Sequence, residues 1–487
     1  MQRYAETREE NGTSPHISGT GHIAFGRGNA GTARKYSEDD LLKTLTSRFG
    51  LPSFRPGQLS VIQLLLQGRS AAAVFPTGGG KSLCYQLPAV QLDGLTKVVS
   101  PLLALMREQV DQLVRRGIAA ARWDSTLTLD ESRKLTQSLV KNGIKLLYVA
   151  PERFYNERFR ELIDGKRIAL FAVDEAHCIS QWGHNFRPDY LKLAQIAKQL
   201  KVQQVLALTA TATPVVLEDI CREFGIARQD AILTPFYRSN LRLSTTLCDD
   251  QSRDALLVDQ LRREDRLPAI VYVTLQRTAK QVAQNLQNAG VPAKAYHAGL
   301  KDQDSGQVQD WFMLSQRAVV VATIAFGMGI DKANIRSIIH FNPAKSLENY
   351  AQEIGRAGRD GNPAVCQTLL VPKDRVVLEN FSYGDTPSRD CVQKLVEFLA
   401  KQPSEFFISH YGLAYETDIR EAVLRTVVTY LELKKQISAT SPRYDTYRFK
   451  LRMDSREILG RFDDQRRQFV ASVLAFSVKR KDYIQLL

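Results

Sequence analysis

The chain has 487 residues, 44% of them hydrophobic, and a formal charge of +14, so it exceeds what one core normally serves and about two to four domains are expected. No apolar run of about 18 residues is present to span a membrane, and the start, M-Q-R-Y-A-E-T-R-E-E, lacks the apolar stretch of a secretory signal. Six cysteines without a C-x-x-C pair argue against a disulfide framework or a compact zinc site and for a reducing compartment, while the basic balance suits a polyanionic partner.

In chain order, residues 1–36 are rich in Gly, Ser, Thr and Asn without an apolar period and read as a disordered tail. Organised sequence begins near Ser37, an N-cap candidate before Leu41, Leu42 and Leu45. Strand-like runs at Ala71–Phe75, Lys97–Ser100, Lys145–Val149, Ala169–Val173 and Val205–Leu208 alternate with helical patterns. A second series follows at Ala269–Val273, Ala293–Tyr296, Ala318–Ala322, Ser337–Phe341 and Cys366–Val371. Alternation of this kind is the pattern of parallel βαβ units, so two α/β lobes are expected, 37–238 and 239–384, joined near Pro235 to Leu241. Residues 385–487 differ in texture. Ile419–Leu433 has an apolar helical period, and Tyr447–Arg452 alternates ring or aliphatic groups with cations, which puts Arg448, Lys450 and Arg452 on one strand face. That segment reads as a small helix-plus-hairpin module with a basic side.

Two stretches carry the chemistry. Pro76-Thr77-Gly78-Gly79-Gly80-Lys81-Ser82 follows a strand and precedes a helical pattern. Glycines there let backbone N–H groups wrap phosphates, Lys81 can reach the β and γ phosphates, and Ser82 can ligate Mg²⁺. The opening position of that pattern is Phe75 in place of Gly. Asp174 and Glu175 end the wholly apolar run Ile168–Val173; Asp174 can hold the Mg²⁺ through water and Glu175 can orient and deprotonate an attacking water. Behind them come His177, Trp182, His184, Phe186, Arg187 and Tyr190, a loop dense in aromatic and basic groups. A tryptophan flanked by Gln181, Gly183 and His184 suits contact with bases better than a core. In the second lobe, Gln352-Glu353-Ile354-Gly355-Arg356-Ala357-Gly358-Arg359-Asp360 offers two arginines one turn apart if helical, able to stabilise charge on a γ-phosphate from across a cleft.

Taken together these pieces resemble the RecQ family of DNA helicases over about Leu41–Leu370. Phe54-Arg55-Pro56-Gly57-Gln58 looks like the family's motif 0, and the resemblance implies that Arg55 and Gln58 read the adenine. Thr77–Pro88 is similar to motif I, Val99-Ser100-Pro101-Leu102 to Ia, Tyr148–Arg153 to Ib, and Asp174–His177 to the D-E-A-H box. Thr209–Thr213 resembles motif III, which relays between nucleotide and strand, and Ala269–Thr274 with Arg277 resembles motif IV. Tyr296–Leu300 and Ala322–Lys332, which includes Thr323 and Asp331, look like the motif V region, and Tyr350–Gly361 like motif VI. The resemblance implies two RecA-like lobes and ATP with Mg²⁺, Asp331 being counted with the nucleotide site. It also implies 3′-to-5′ movement on single-stranded DNA and unwinding of duplex or branched DNA in repair and recombination. The strand would be held through phosphates near Ser100, Arg153 and Thr323 and by stacking on Trp182 and Phe186.

The chain departs from the family at several points. Asn185 stands where Gly-His-Asp-Phe-Arg-Pro has its acid, Asp124-Ser125 replaces Asn-Ser, and Leu51 replaces an aromatic found in some members. Beyond Asn380 only Cys391 remains where many members carry four zinc-binding cysteines, so no zinc is expected. Tyr415–Leu433 is similar instead to a winged-helix element of a zinc-lacking branch, with Tyr447–Arg452 as its wing. The expected location is the cytoplasm, at a bacterial nucleoid, or the nucleus of a eukaryote, as a monomer or weak oligomer without a membrane. A DNA-annealing protein with vestigial unwinding, and an RNA helicase, remain as alternatives on the sequence.

Overall fold

The computed structural model describes residues 36–487 apart from 102, 125, 156, 181–186, 236–237, 325, 327–331, 384–385, 439–446, 450, 452, 480–483 and 487. Its first ordered helix, Glu38–Thr44, starts at Ser37, whose hydroxyl accepts from Asp40 N–H while Asp40 reaches back to the cap, a reciprocal capping box.

Seven strands then build a parallel sheet: β1 (Ala71–Val74), β2 (Leu95–Val99), β3 (Ala120–Trp123), β4 (Leu146–Val149), β5 (Ile168–Val173), β6 (Val205–Thr209) and β7 (Ala231–Leu233). Their order is β3-β4-β2-β5-β6-β1-β7. Helices cover both faces, so β1, β2, β4, β5 and β6 are buried along their whole length, which is why they read as unbroken apolar runs. One face packs Phe154, Phe159, Phe171 and Phe224; the other packs Phe49, Phe75, Tyr85 and Tyr148. The strand signal failed at β3 and β7, which lie at the two sheet edges and are only partly buried; an edge strand needs no continuous apolar run.

A second parallel sheet comprises β8 (Leu241–Leu247), β9 (Ala269–Tyr272), β10 (Ala293–Tyr296), β11 (Val319–Ala322), β12 (Ser337–His340) and β13 (Ala364–Leu370), ordered β10-β11-β9-β12-β13-β8. Strand β8, L-R-L-S-T-T-L, is again a half-exposed edge that the apolar pattern missed. Two α/β lobes of RecA-like character therefore stand as expected.

After β13, the helices Arg389–Ala400, His410–Thr417 and Glu421–Leu433 enclose a small core of Leu395, Leu413, Ile419 and Leu424. An antiparallel sheet of β14 (Tyr447–Phe449), β16 (Ile484–Leu486) and β15 (Ser477–Lys479) follows, with β16 central. The expected strand Tyr447–Arg452 is present as Tyr447–Phe449; Lys450 and Arg452 lie outside the described residues. The helix Glu421–Leu433 reaches back to the first lobe, where Glu432 pairs with Lys192 on the helix Pro188–Gln199. This module thus follows the second lobe in sequence and leans on the first.

One residue runs against the pattern of β2. Lys97 is fully buried between its register partners Leu147 and Phe171, and its ammonium nitrogen has no hydrogen-bond partner. Burial pulls its pKa down to about 7 from 10.5. Between those values the unfolded chain binds a proton that the folded chain does not, so stability rises with pH across the window, by at most about 1.4 kcal/mol per pH unit. Lys97→Met is expected to raise the melting temperature at pH 7 and to flatten its rise between pH 7 and 9, as calorimetry at several pH values would show; an unchanged slope would mean that Lys97 finds solvent.

Candidate nucleotide site between the lobes

The phosphate-binding turn leaves β1 beside β6, where Phe75 N–H donates to Thr209 O at 3.1 Å, and folds on itself through Gly79 N–H to Pro76 O at 2.8 Å. Gly78 and Gly80 have φ of +83° and +74°, which side chains rarely tolerate. Gly80 is doubly constrained, because a Cβ there would stand 2.5 Å from Gln58 Nε2. Lys81 curls over the turn and donates to Phe75 O at 3.3 Å, and Ser82 stands at the N-cap position of the helix Leu83–Gln91 without a side-chain capping bond. The turn is therefore a backbone cradle at a helix start, suited to an anion.

Arg55 and Gln58 bracket this cradle. Arg55 donates through Nη1 to Gly78 O, and Gln58 Nε2 donates to Gly80 O at 2.9 Å. Gln58 Oε1 accepts from Arg55 N–H at 2.8 Å, so the two side chains form one unit on the turn.

The acids arrive from β5, two strands away. Asp174 is buried; its Oδ1 accepts from Glu175 N–H at 3.0 Å and its Oδ2 lies 3.5 Å from Ser100 Oγ. Its carboxyl pKa is raised to about 7, first by burial and then by Glu175, with Lys81 opposing. A buried acid in that state favours an added cation. Asp174 with the Ser82 hydroxyl fits Mg²⁺, which takes few protein ligands and keeps waters and phosphate oxygens. Among the described residues no group of three or more His, Cys, Asp or Glu could hold a metal unaided.

Glu175 sits at φ +52°, a strained backbone for a residue with a side chain. Its Oε2 lies 3.3 Å from His177 Nδ1, and that nitrogen lies 2.8 Å from Thr209 Oγ1. Thr209 donates its one hydroxyl proton to Thr211 O at 2.9 Å, so Nδ1 must carry the proton in this contact. Burial and the nearby Lys81 push the His177 pKa down to about 4, leaving the ring neutral at pH 7. A chain of contacts therefore runs Glu175–His177–Thr209–Thr211 from the acids to the end of β6. Tyr190 closes the other side, donating to Asp174 O at 3.0 Å.

The second lobe meets this site through the segment after the helix Leu347–Ile354. Arg356 and Arg359 are not on that helix; it ends at Gly355, and both arginines lie in the turns that follow. Gly355 comes so close that a Cβ there would be 2.9 Å from Thr77 Cβ, and a Cβ on Gly78 would be 3.4 Å from Arg359 Nε. Arg356 is buried and hydrogen-bonds Tyr272, whose hydroxyl also donates to Phe326 O at 3.3 Å. Glu353 pairs with His340 at 2.7 Å. Gln352 is half-buried on the same helix. Tyr272 and His340 escaped sequence reasoning because each ends an apolar strand and looks like core.

The expected strand-contact residues are placed less uniformly. Ser100 and Thr323 are buried, and Ser100 faces Asp174, which makes it a neighbour of the acids in this structure and not an open phosphate contact. Arg153 is half-buried in the helical turn Pro151–Tyr155, and Arg187 is exposed. Trp182, Asn185, Phe186, Asp331 and Lys450 lie outside the described residues, and of Arg448 only the backbone strand is described.

Two parallel-sheet lobes, with a phosphate-binding type of turn and paired acids on the first and arginines of the second lying against that turn, define the two-lobed RecA-like fold class. Residues 55–220 match the DEAD/DEAH box helicase family and residues 252–361 the helicase conserved C-terminal domain. The chain is 40% identical over 362 residues to the "ATP-dependent DNA helicase RecQ" of Haemophilus influenzae, covering 74% of this chain and 58% of that protein. It is also 40% identical over 363 residues to the "Probable ATP-dependent DNA helicase RecS" of Bacillus subtilis, covering 74% of this chain and 73% of that one. The solved structure of S. cerevisiae Dbp5 bound to RNA and ADP BeF3 shares the fold at 17% identity, with a TM-score of 0.54 over 74% of this chain and 97% of that one. The chain belongs to the RecQ family of ATP-dependent DNA helicases. It spans 58% of the length of the Haemophilus relative. Among the described residues no helix is long and apolar enough to cross a membrane.

Asp174→Asn keeps an acceptor for Glu175 N–H and removes a buried charge. In EDTA at pH 8 it is expected to raise stability by about 1–2 kcal/mol, and with Mg²⁺ present to abolish ATP hydrolysis. A lower melting temperature than the parent would contradict the raised acid.

Proposed function

We propose that this chain is an ATP-dependent 3′-to-5′ DNA helicase that moves on single-stranded DNA and unwinds duplex or branched DNA. One observation carries the reading: Gly355 and Arg359 of the second lobe lie against Thr77 and Gly78 of the first. A γ-phosphate held by Gly79, Gly80, Lys81 and Ser82 would then have cations on both sides, one set from each lobe. Lobe separation and phosphate chemistry become one event, which is what a translocating engine requires.

In this reading Arg55 and Gln58 orient the base, Lys81 and Thr77 hold phosphates, and Ser82 and Asp174 hold Mg²⁺, which would neutralise phosphate charge when bound. Glu175 accepts the proton of the attacking water, and His177 with Thr209 keeps Glu175 in place. Arg356, Arg359 and Gln352 complete the site from the second lobe. Residues 37–238 and 239–384 are its two motor units. Residues 385–487 serve as a winged-helix-like DNA contact through Arg448 and Lys450, and Trp182, Phe186, Arg187, Arg153 and Thr323 line the single-strand track. No zinc is expected, since Cys391 stands alone beyond Asn380.

ATP hydrolysis measured with single-stranded DNA, with RNA and without polymer tests the reading. DNA is expected to stimulate the rate; equal rates in all three would remove coupling to nucleic acid, and stimulation by RNA alone would give the track to RNA. Arg359→Ala should lower DNA-stimulated turnover by about 10³-fold or more with nucleotide binding retained.

A further inference from the structure

The two lobes are joined by the segment that leaves β7 and enters β8, and its bonds reach both halves of the nucleotide site. At its start Thr234 N–H donates to Val74 O at 3.1 Å, directly before the phosphate turn. At its end Arg238 donates through Nη1 to Gly355 O at 3.2 Å and through Nη2 to Gly358 O. Asn240 adds Nδ2 to Gly358 O at 2.8 Å and to Asn362 O at 2.9 Å. The two carbonyls taken by Arg238 belong to the peptide units immediately before Arg356 and immediately before Arg359. Orienting a peptide plane sets the direction in which the next side chain leaves the backbone, so one guanidinium fork governs the aim of both arginines.

The chemistry of this contact is unusual for a structural cation. Arg238 is partly buried and burial lowers its pKa. Among the described residues no carboxylate pairs with it at ion-pair distance. Asp360, the nearest acid to influence it, is bonded to Arg336. Its two donors are spent on neutral carbonyls of one turn, and that turn also needs Gly358 at φ +51°, where a Cβ would stand 2.6 Å from Asn240 Nδ2. Such a clamp specifies a turn conformation more than it adds stability.

We propose that Arg238 is a positioning residue that ties the peptide units before Arg356 and Arg359 to the entrance of β8 and so fixes the aim of both arginines at the phosphate turn. The proposal rests on the nucleotide-site reading above and adds a positioning residue to it.

The test is ATP turnover of Arg238→Ala, Arg238→Lys, Arg359→Ala and the double variant Arg238→Ala/Arg359→Ala, with and without single-stranded DNA. Arg238→Ala is expected to lower kcat by about 10- to 100-fold, as for a catalytic group displaced by an ångström. The KM for ATP should move by less than about 3-fold and the melting temperature by less than about 2 °C. Lysine, which can reach one carbonyl but not both, should recover part of the loss. Adding Arg238→Ala to Arg359→Ala should cost clearly less than it costs in the parent, since only the aim of Arg356 is then left to lose. Equal losses in the two backgrounds, or an unchanged kcat in Arg238→Ala, would overturn the proposal. If Arg238→Ala does not fold, Arg238→Lys in the two backgrounds decides in the same way. A parent enzyme whose turnover ignores DNA would remove the helicase reading, and the comparison on basal hydrolysis would still decide the role of Arg238; a parent without any turnover would remove both.

Discussion

The arrangement depends on a close approach of two backbones. Gly355 can lie against Thr77 only because it carries no side chain, and Arg359 packs beside Gly78 next to it. Any Cβ on Gly355 would meet Thr77 at 2.9 Å and hold the lobes apart. That separation would draw the arginines away from a phosphate, and electrostatic stabilisation falls steeply once water enters between charges. In the proposed function the phosphate turn and the arginine turn are two halves of one site, and the distance between lobes is the variable that assembles it.

The acids add a second constraint. Asp174 and Glu175 sit side by side at the end of β5, with Asp174 buried, an arrangement that is costly without a cation nearby. The strained φ of Glu175 and the contacts through His177 and Thr209 hold it against that repulsion. Tyr190 bonds the carbonyl of Asp174, so the stretch between residues 175 and 190 begins and ends on the same acid. The helix that follows it, Pro188–Gln199, is in turn held by Glu432 of the C-terminal helices.

Much of this was legible in the order of residues. Continuous apolar runs marked the buried strands because parallel sheets are covered on both faces; Asp174 and Glu175 stood out at a strand end, and Lys81 at the close of a glycine-rich turn between strand and helix. The edge strands β3, β7 and β8 were not legible, since partial exposure removes the apolar signal. Arg356 and Arg359 would share one side of a helix by their spacing, but the helix Leu347–Ile354 ends before them at Gly355 and both lie in turns. Arg238, Asn240 and Tyr272 gave no signal at all. Their partners are backbone carbonyls or an arginine dozens of residues away, and a carbonyl has no letter in a sequence.

The most direct measurement of the shared site is the distance between lobes during the ATP cycle. With dyes at the exposed positions Val140 and Leu314, single-molecule energy transfer should show a closed state favoured by a non-hydrolysable ATP analogue with single-stranded DNA. With ATP it should alternate between closed and open states at the rate of turnover. A transfer efficiency that stays constant through binding and hydrolysis, in an enzyme that turns over, would contradict a site assembled by lobe closure.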